Sequence, residues 1–196
     1  MSFTLIFVDS GFLSELSKHF GKGRHLRFDY SKFFRFLAEK KKLNLKKIFY
    51  YTAPPFQSEN PTKEEALRKK GYDNFINKIK KDVLFSVKEG RVQKIIGSEG
   101  EEFTQKGVDT LMTMDLAFSK DKFPDAKKII MVTSDTDFVP VIKELKRFGI
   151  EVILYTYSDA KRNSKFFLSH HLTECCDDVE YLKKEDMNKF SLKNEK

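Results

Sequence analysis

Four short apolar runs limit what this chain can fold into. Residues 3–8 (FTLIFV), 46–51 (KKIFYY), 128–133 (KIIMVT) and 150–155 (IEVILY) are each of strand length and largely apolar. Strands without polar alternation are buried on both faces, as in the centre of a parallel sheet. Stretches with helical spacing separate them, and strand–helix alternation is the mark of an α/β sheet built from right-handed crossovers. No internal repeat or interdomain linker interrupts the pattern. The expectation is a single α/β domain over residues 1–184, followed by a polar, frayed tail at 185–196.

The connecting segments carry start and stop signals. The first strand ends at Asp9-Ser10-Gly11, and residues 12–20 read as a short helix broken at Gly21-Lys22-Gly23. Asp29 is placed to cap a helix whose core face holds Phe33, Phe36 and Leu37. Pro54 and Pro55 stop the second strand, and Thr62 with Glu65 forms a capping-box pattern for a long helix containing Gly71. Residues 83–96 read as a hairpin turning at 88–91, followed by a polar loop (GSEGEEFTQ) and a helix over 106–119. Residues 138–148 form a helix closed by Gly149. From 158 onward the pattern predicts a short basic helix and a last element at 178–182.

At 196 residues the chain is long enough for one sizeable core and short for two. No apolar run approaches the roughly 20 residues of a membrane-spanning helix, so no membrane partner is expected. The start, MSFTLIFVDS, has no basic segment and no small-residue cleavage site, and reads as a core strand. Cys175 and Cys176 are adjacent and belong to no metal-binding spacing; they fit a reducing, cytoplasmic compartment. His19, His25, His170 and His171 fall in no metal-ligand motif.

The acids are more informative. In open α/β sheets, sites form beyond the carboxyl ends of the strands. Asp9 directly follows residues 3–8, and Asp135 and Asp137 follow residues 128–133; the two strands suit neighbouring central positions. Asp109 opens the helix after the polar loop, within short reach of the same edge. Asp115, six residues on, lies about 240° round an ideal helix from Asp109 and points elsewhere. Taken singly, each acid also suits a turn or helix cap: Asp135 or Asp137 can cap the helix that follows, and Asp109 suits its helix's first turn. Four converging carboxylates repel one another unless protons or a divalent cation neutralise them. Oxygen-only ligands select hard ions, Mg²⁺ or Mn²⁺, which serve phosphate chemistry.

Three blocks carry a family resemblance. LIFVDSGFL (5–13), KGVDTLMTMDL (106–116) and VTSDTDFVPVIKELKRFGIEVILY (132–155) resemble, in order, motifs of the NYN domain family of the PIN-like nuclease superfamily, specifically its small bacterial proteins. The tail ECCDDVEYL (174–182) is similar to the family's closing element. The resemblance implies a PIN-like three-layer α/β/α sandwich with a mainly parallel central sheet. It also implies metal-dependent ribonuclease activity with Mg²⁺ or Mn²⁺. Carried over by motif, Asp9, Asp109, Asp135 and Asp137 would be the catalytic, metal-binding cluster, with Asp115 structural. Two positions depart from the family pattern. Phe12 stands where the family usually has Asn, and Ser134 where it usually has Gly; Ser10 or Ser134 is then the substitute hydroxyl donor to the nucleic acid.

The charge balance suits a nucleic-acid partner. Lys and Arg number 37 against 29 Asp and Glu, a formal net charge of +8. Basic residues cluster at Lys40, Lys41, Lys42, Lys46 and Lys47; at Arg68, Lys69, Lys70, Lys78, Lys80 and Lys81; and at Lys161, Arg162 and Lys165. Each group suits either a phosphate track or a solvated face. Lys106, three residues before Asp109, is the expected cation for a scissile phosphate. Tyr50, Tyr51 and Phe56 suit either base stacking or the core. The expected function is RNA phosphodiester hydrolysis on single-stranded or structured RNA, with a non-cutting RNA-binding or regulatory module as the alternative and a homodimer left open. A phosphatase reading of Asp135-Thr136-Asp137 fits poorly, because the motif falls late in the chain.

Overall fold

The computed structural model describes residues 2–97, 100–159, 164, 166–167 and 169–192. Six strands, β1 (Phe3–Asp9), β2 (Leu45–Thr52), β3 (Phe85–Glu89), β6 (Ala126–Val132), β7 (Glu151–Thr156) and β8 (Asp178–Tyr181), form one sheet in the order β3-β2-β1-β6-β7-β8. Every pairing in it is parallel. The order reverses between β1 and β6, which places the topological switch at the sheet's centre.

The apolar runs explain the layers. Along β1, Leu5 and Phe7 enter one apolar cluster, while Ile6 and Val8 enter the other. The same alternation recurs in β2 (Phe49 and Tyr51 against Ile48 and Tyr50), β6 (Ile129 and Met131 against Ile130 and Val132) and β7 (Val152 and Leu154 against Ile153 and Tyr155). A period of two with both faces apolar demands helices on both sides. One layer is α4 (Val108–Ala117), α6 (Val139–Arg147) and α7 (His170–Cys175). The other is α1 (Ser10–Phe20), α2 (Tyr30–Lys40), α3 (Lys63–Ile79) and α8 (Lys184–Asn188), with α5 (Ser119–Lys122) a single turn after α4. The three-layer α/β/α expectation holds.

Local signals mostly operate as read. Asp29 caps α2 by accepting from Lys32 N at 3.0 Å. Thr62 and Glu65 close their capping box at 3.2 and 2.8 Å, and α3 runs through Gly71 without a break. In α2 the core face is Phe33, Phe34, Leu37 and Ala38, while Phe36 sits at the edge against Phe190. A short 3₁₀ turn at Thr136–Phe138 precedes α6.

Three expectations are corrected. The hairpin is not formed by residues 83–96: β3 lies parallel on β2, and β4 (Arg91–Gly97) pairs antiparallel with β5 (Gly100–Lys106) in a separate two-stranded ribbon. The polar stretch expected as a loop is therefore the return strand. Second, α1 begins at Ser10, because Asp9 caps it directly. Third, residues 185–192 are packed: Met187 is fully buried, Phe28 and Ser191 form a β-bridge, and Leu192 N donates to Arg27 O at 2.9 Å. The basic group Lys161, Arg162 and Lys165 lies outside the described residues. Among the described residues, no helix is long and apolar enough to cross a membrane.

Candidate active site

The strand ends deliver the acids. Asp9 closes β1, and its Oδ1 accepts from Gly11 N at 2.8 Å and Phe12 N at 3.2 Å, capping α1. Its Oδ2 accepts from Thr133 Oγ1 at 3.2 Å, which binds the end of β1 to the segment leaving β6. Thr133 Oγ1 in turn accepts from Asp135 N at 3.2 Å. Asp135 Oδ1 accepts from Asp137 N at 2.9 Å, which fixes the 3₁₀ turn. Asp109 stands in the first turn of α4, whose entry residue Gly107 takes a φ of +80°, a conformation glycine adopts without strain.

Electrostatics bind these groups into one site. Burial, assisted by the charge of Asp109, pushes the Asp9 carboxyl up to about 6, against the hydrogen bonds that lower it. Burial also raises the Asp109 carboxyl, and so do the charges of Asp135 and Asp137. Asp109 therefore feels all three other carboxylates. A cleft of about 340 Å³ opens among Asp9, Gly11, Phe12, Glu15, Ser134, Asp135 and Phe166. Asp137 faces a neighbouring cleft of about 470 Å³ with Thr136, Val139, Pro140, Lys143 and His171. Among the described residues, no three His, Cys, Asp or Glu groups stand close enough to hold one metal ion. Asp9 and Asp135 line the first cleft and Asp137 the second, while Asp109 acts on them through its charge.

The donor chemistry fits a hard divalent cation. Every candidate ligand is a carboxylate oxygen. A carboxylate offers about four acceptor positions, and hydrogen bonds use three on Asp9.

Other expected residues find different places. Asp115 is structural, as its helix position implied: it accepts from Tyr51 Oη at 3.0 Å and from Lys122 Nζ at 2.8 Å. Ser134 lines the first cleft. Ser10, expected as a donor to the nucleic acid, is only 6% exposed and its hydroxyl bonds to the Tyr50 hydroxyl. Lys106 is exposed at the end of β5, next to Gln105, whose side chain reaches toward Gly11. Tyr50 and Tyr51 are core. Lys46 and Lys47 enter β2 at its amino end, about 13–17 Å of strand from Tyr51, which lies opposite Asp9. Lys40 and Lys41 are ion-paired to Asp178 and Glu180 on β8.

Sequence reasoning missed four residues beside the acids. Glu15 lines the first cleft from α1, and Lys143 and His171 line the second. Gln105 brings its Oε1 to 4.0 Å from where a Cβ on Gly11 would stand. None of the four carried a sequence signal: Glu15 follows Asp9 by six residues, a spacing that an ideal helix turns through about 240°.

A parallel sheet between two helical layers, with carboxylates gathered where its central strands end, is the architecture of the PIN-like α/β/α class. The chain belongs to the NYN domain family, whose pattern matches residues 4–182, nearly its whole length. That family lies within the PIN-like nuclease superfamily; its members are generally nucleases and typically use divalent metals. The fold is similar to the crystal structure of a protein of unknown function from Vibrio parahaemolyticus RIMD 2210633. The TM-score is 0.59 at 21% identity, over 97% of this chain and 96% of that one. No curated protein matches.

Proposed function

We propose that the protein is a metal-dependent ribonuclease that hydrolyses RNA phosphodiester bonds with Mg²⁺ or Mn²⁺. The observation that carries this reading is the placement of Asp9 and Asp135, from distant segments, in one cleft at the switch point between β1 and β6, tied through Thr133, with Asp109 adding its charge to Asp9 and feeling those of Asp135 and Asp137. Asp9 and Asp135 would hold the ion from the first cleft, and Asp109 and Asp137 would complete its charge balance. A hard divalent ion bound there polarises the phosphoryl oxygen and lowers the pKa of the attacking water. Thr133 and the α1 amides hold Asp9 in one orientation, and Phe12 with Phe166 supplies the apolar wall. Ser134 donates a hydroxyl toward the phosphate, and Lys143 supplies positive charge beside Asp137.

The test is cleavage of end-labelled RNA by purified protein, with Mn²⁺ and with EDTA. Wild type cuts only with the metal. Asp9→Asn and Asp135→Asn each lose about 100-fold or more in rate while their circular dichroism is unchanged, because each removes part of the charge stabilisation. Undiminished cleavage by both variants refutes the assignment. A second reading, a module that binds RNA without cutting, is favoured by Phe12. It places an apolar ring, 7% exposed, where the family usually offers an amide. Metal-independent RNA binding with no turnover selects that reading.

A further inference from the structure

One face of the β4–β5 ribbon looks toward the carboxylates. Opposed residues of an antiparallel pair share a face, so Val92 with Gln105 and Lys94 with Phe103 project together. Val92 anchors this face on the apolar layer beneath α4. Gln105 reaches the Gly11 position beside Asp9, where a Cβ would stand 3.1 Å from Asp9 Oδ1. Two residues along, Phe103 is 49% exposed. Its ring lies 5.2 Å from that of Phe56, tilted by 49°. Phe56 comes from the loop after β2, behind Pro54 and Pro55, so two separate chain segments hold this ring pair in place.

We propose that Phe103, braced by Phe56, is a nucleobase-stacking subsite beside the acidic cleft, and that it selects single-stranded RNA. The inference rests on the nuclease reading for its substrate class. Phe103 and Gln105 sit two positions apart on one strand face, about 7 Å. A strand of RNA passing Gln105 from the cleft therefore meets the ring next. Only an unpaired, splayed base can lie on it, because duplex bases are already stacked on their neighbours. Stacking is sequence-tolerant, since every base has a flat face. Glu101, next on this face, is ion-paired with Lys94 at 2.5 Å, so the ring is the one aromatic surface this face of the described ribbon offers a base.

The chain contains no tryptophan, so Phe103→Trp installs a single fluorescent reporter. Binding is measured in EDTA, where cleavage is silent, by indole quenching and by anisotropy of a labelled single-stranded RNA. Single-stranded RNA quenches the reporter and a blunt RNA duplex does not. Phe103→Ala weakens single-stranded binding by about fivefold to 150-fold, the loss of one stacked base. Phe103→Trp retains wild-type affinity. Unchanged affinity in Phe103→Ala, equal quenching by the duplex, or no RNA binding at all overturns the subsite. If binding depends on Phe103 but Mn²⁺ produces no cleavage, the nuclease reading fails and the subsite stands.

Discussion

Asp9 carries two roles that pull against each other. As the cap of α1 it needs acceptor oxygens beside Gly11 N and Phe12 N. As the ligand proposed above it would have to be ionised, yet burial and Asp109 push its carboxyl up to about 6. Without a cation, the ionised form is a liability to the fold. Asn keeps the capping oxygen and removes the charge. In EDTA at pH 7, Asp9→Asn is therefore expected to melt at or above wild type, by about 2–4 °C per kcal/mol relieved. Adding Mn²⁺ raises the melting temperature of wild type and not of the variant. Scanning fluorimetry decides it: a variant that melts well below wild type in EDTA and still responds to Mn²⁺ sinks the two-role account. At this scale Asp9 and Asp135 were legible because each follows an apolar run, where strand ends must fall. Gln105, Lys143 and His171 were not. They belong to segments whose position beside the acids is decided by tertiary path alone. Phe103 failed to register because a lone aromatic in a polar stretch has no periodicity to mark it.

Among the elements, the hairpin shows how far local pattern reaches. Residues 83–96 hold two β-prone runs around a turn signal, so adjacent pairing was the natural reading. β3 instead takes the open edge of β2, where Ile48 lies opposite Phe85 and apolar surface is buried. β4 must then find another partner. The polar stretch 100–106 supplies one, because an exposed ribbon needs no apolar face of its own. Gly90 makes the change of direction. A Cβ there would stand 2.6 Å from Lys106 O and 2.8 Å from Val108 Cγ2. Gly90→Ala is expected to destabilise by about 1–3 kcal/mol, the usual cost of overpacking. It is also expected to slow RNA cleavage, since the displaced neighbours lead directly into Asp109. Chemical denaturation together with a cleavage assay checks both; loss of neither shows that the backbone relaxes freely.

Across the whole molecule, stability depends on ties between distant segments. Asp82, in the turn before β3, accepts from Ser31 Oγ of α2, from Arg35 Nη2 at 2.9 Å and from Leu84 N at 2.9 Å. Burial raises its carboxyl, but these three hydrogen bonds outweigh that and hold it below the ordinary value of 3.8. A lowered native pKa contributes stability above 3.8 that is lost as pH falls through the native value. Asp82→Asn is expected to cost about 1–2 kcal/mol at pH 7, with the gap to wild type closing below pH 3.8. Urea midpoints across pH 2.5–7 test this, and a gap independent of pH refutes the ionic contribution. At this scale the parallel sheet, its two helical layers and the adjacency of β1 and β6 were readable, because doubly buried strands admit few arrangements. The packed segment beyond residue 184 was not. Met187, Phe190 and Leu192 are scattered through a polar stretch without periodicity, and only the packing of Met187 and Phe190 on the second cluster reveals them.

The ribbon that carries Phe103 and Gln105 leaves the body of the protein after Gly90 and returns at Lys106, and those two points touch. Its footings are so close that a short turn can span them without shifting any of the six main strands. The fold thus treats these sixteen or so residues as an exchangeable attachment. If the proposed nuclease reading holds, grafting a different ribbon onto the same footings, with Val92 and Gln105 kept, would alter which strands of RNA are admitted.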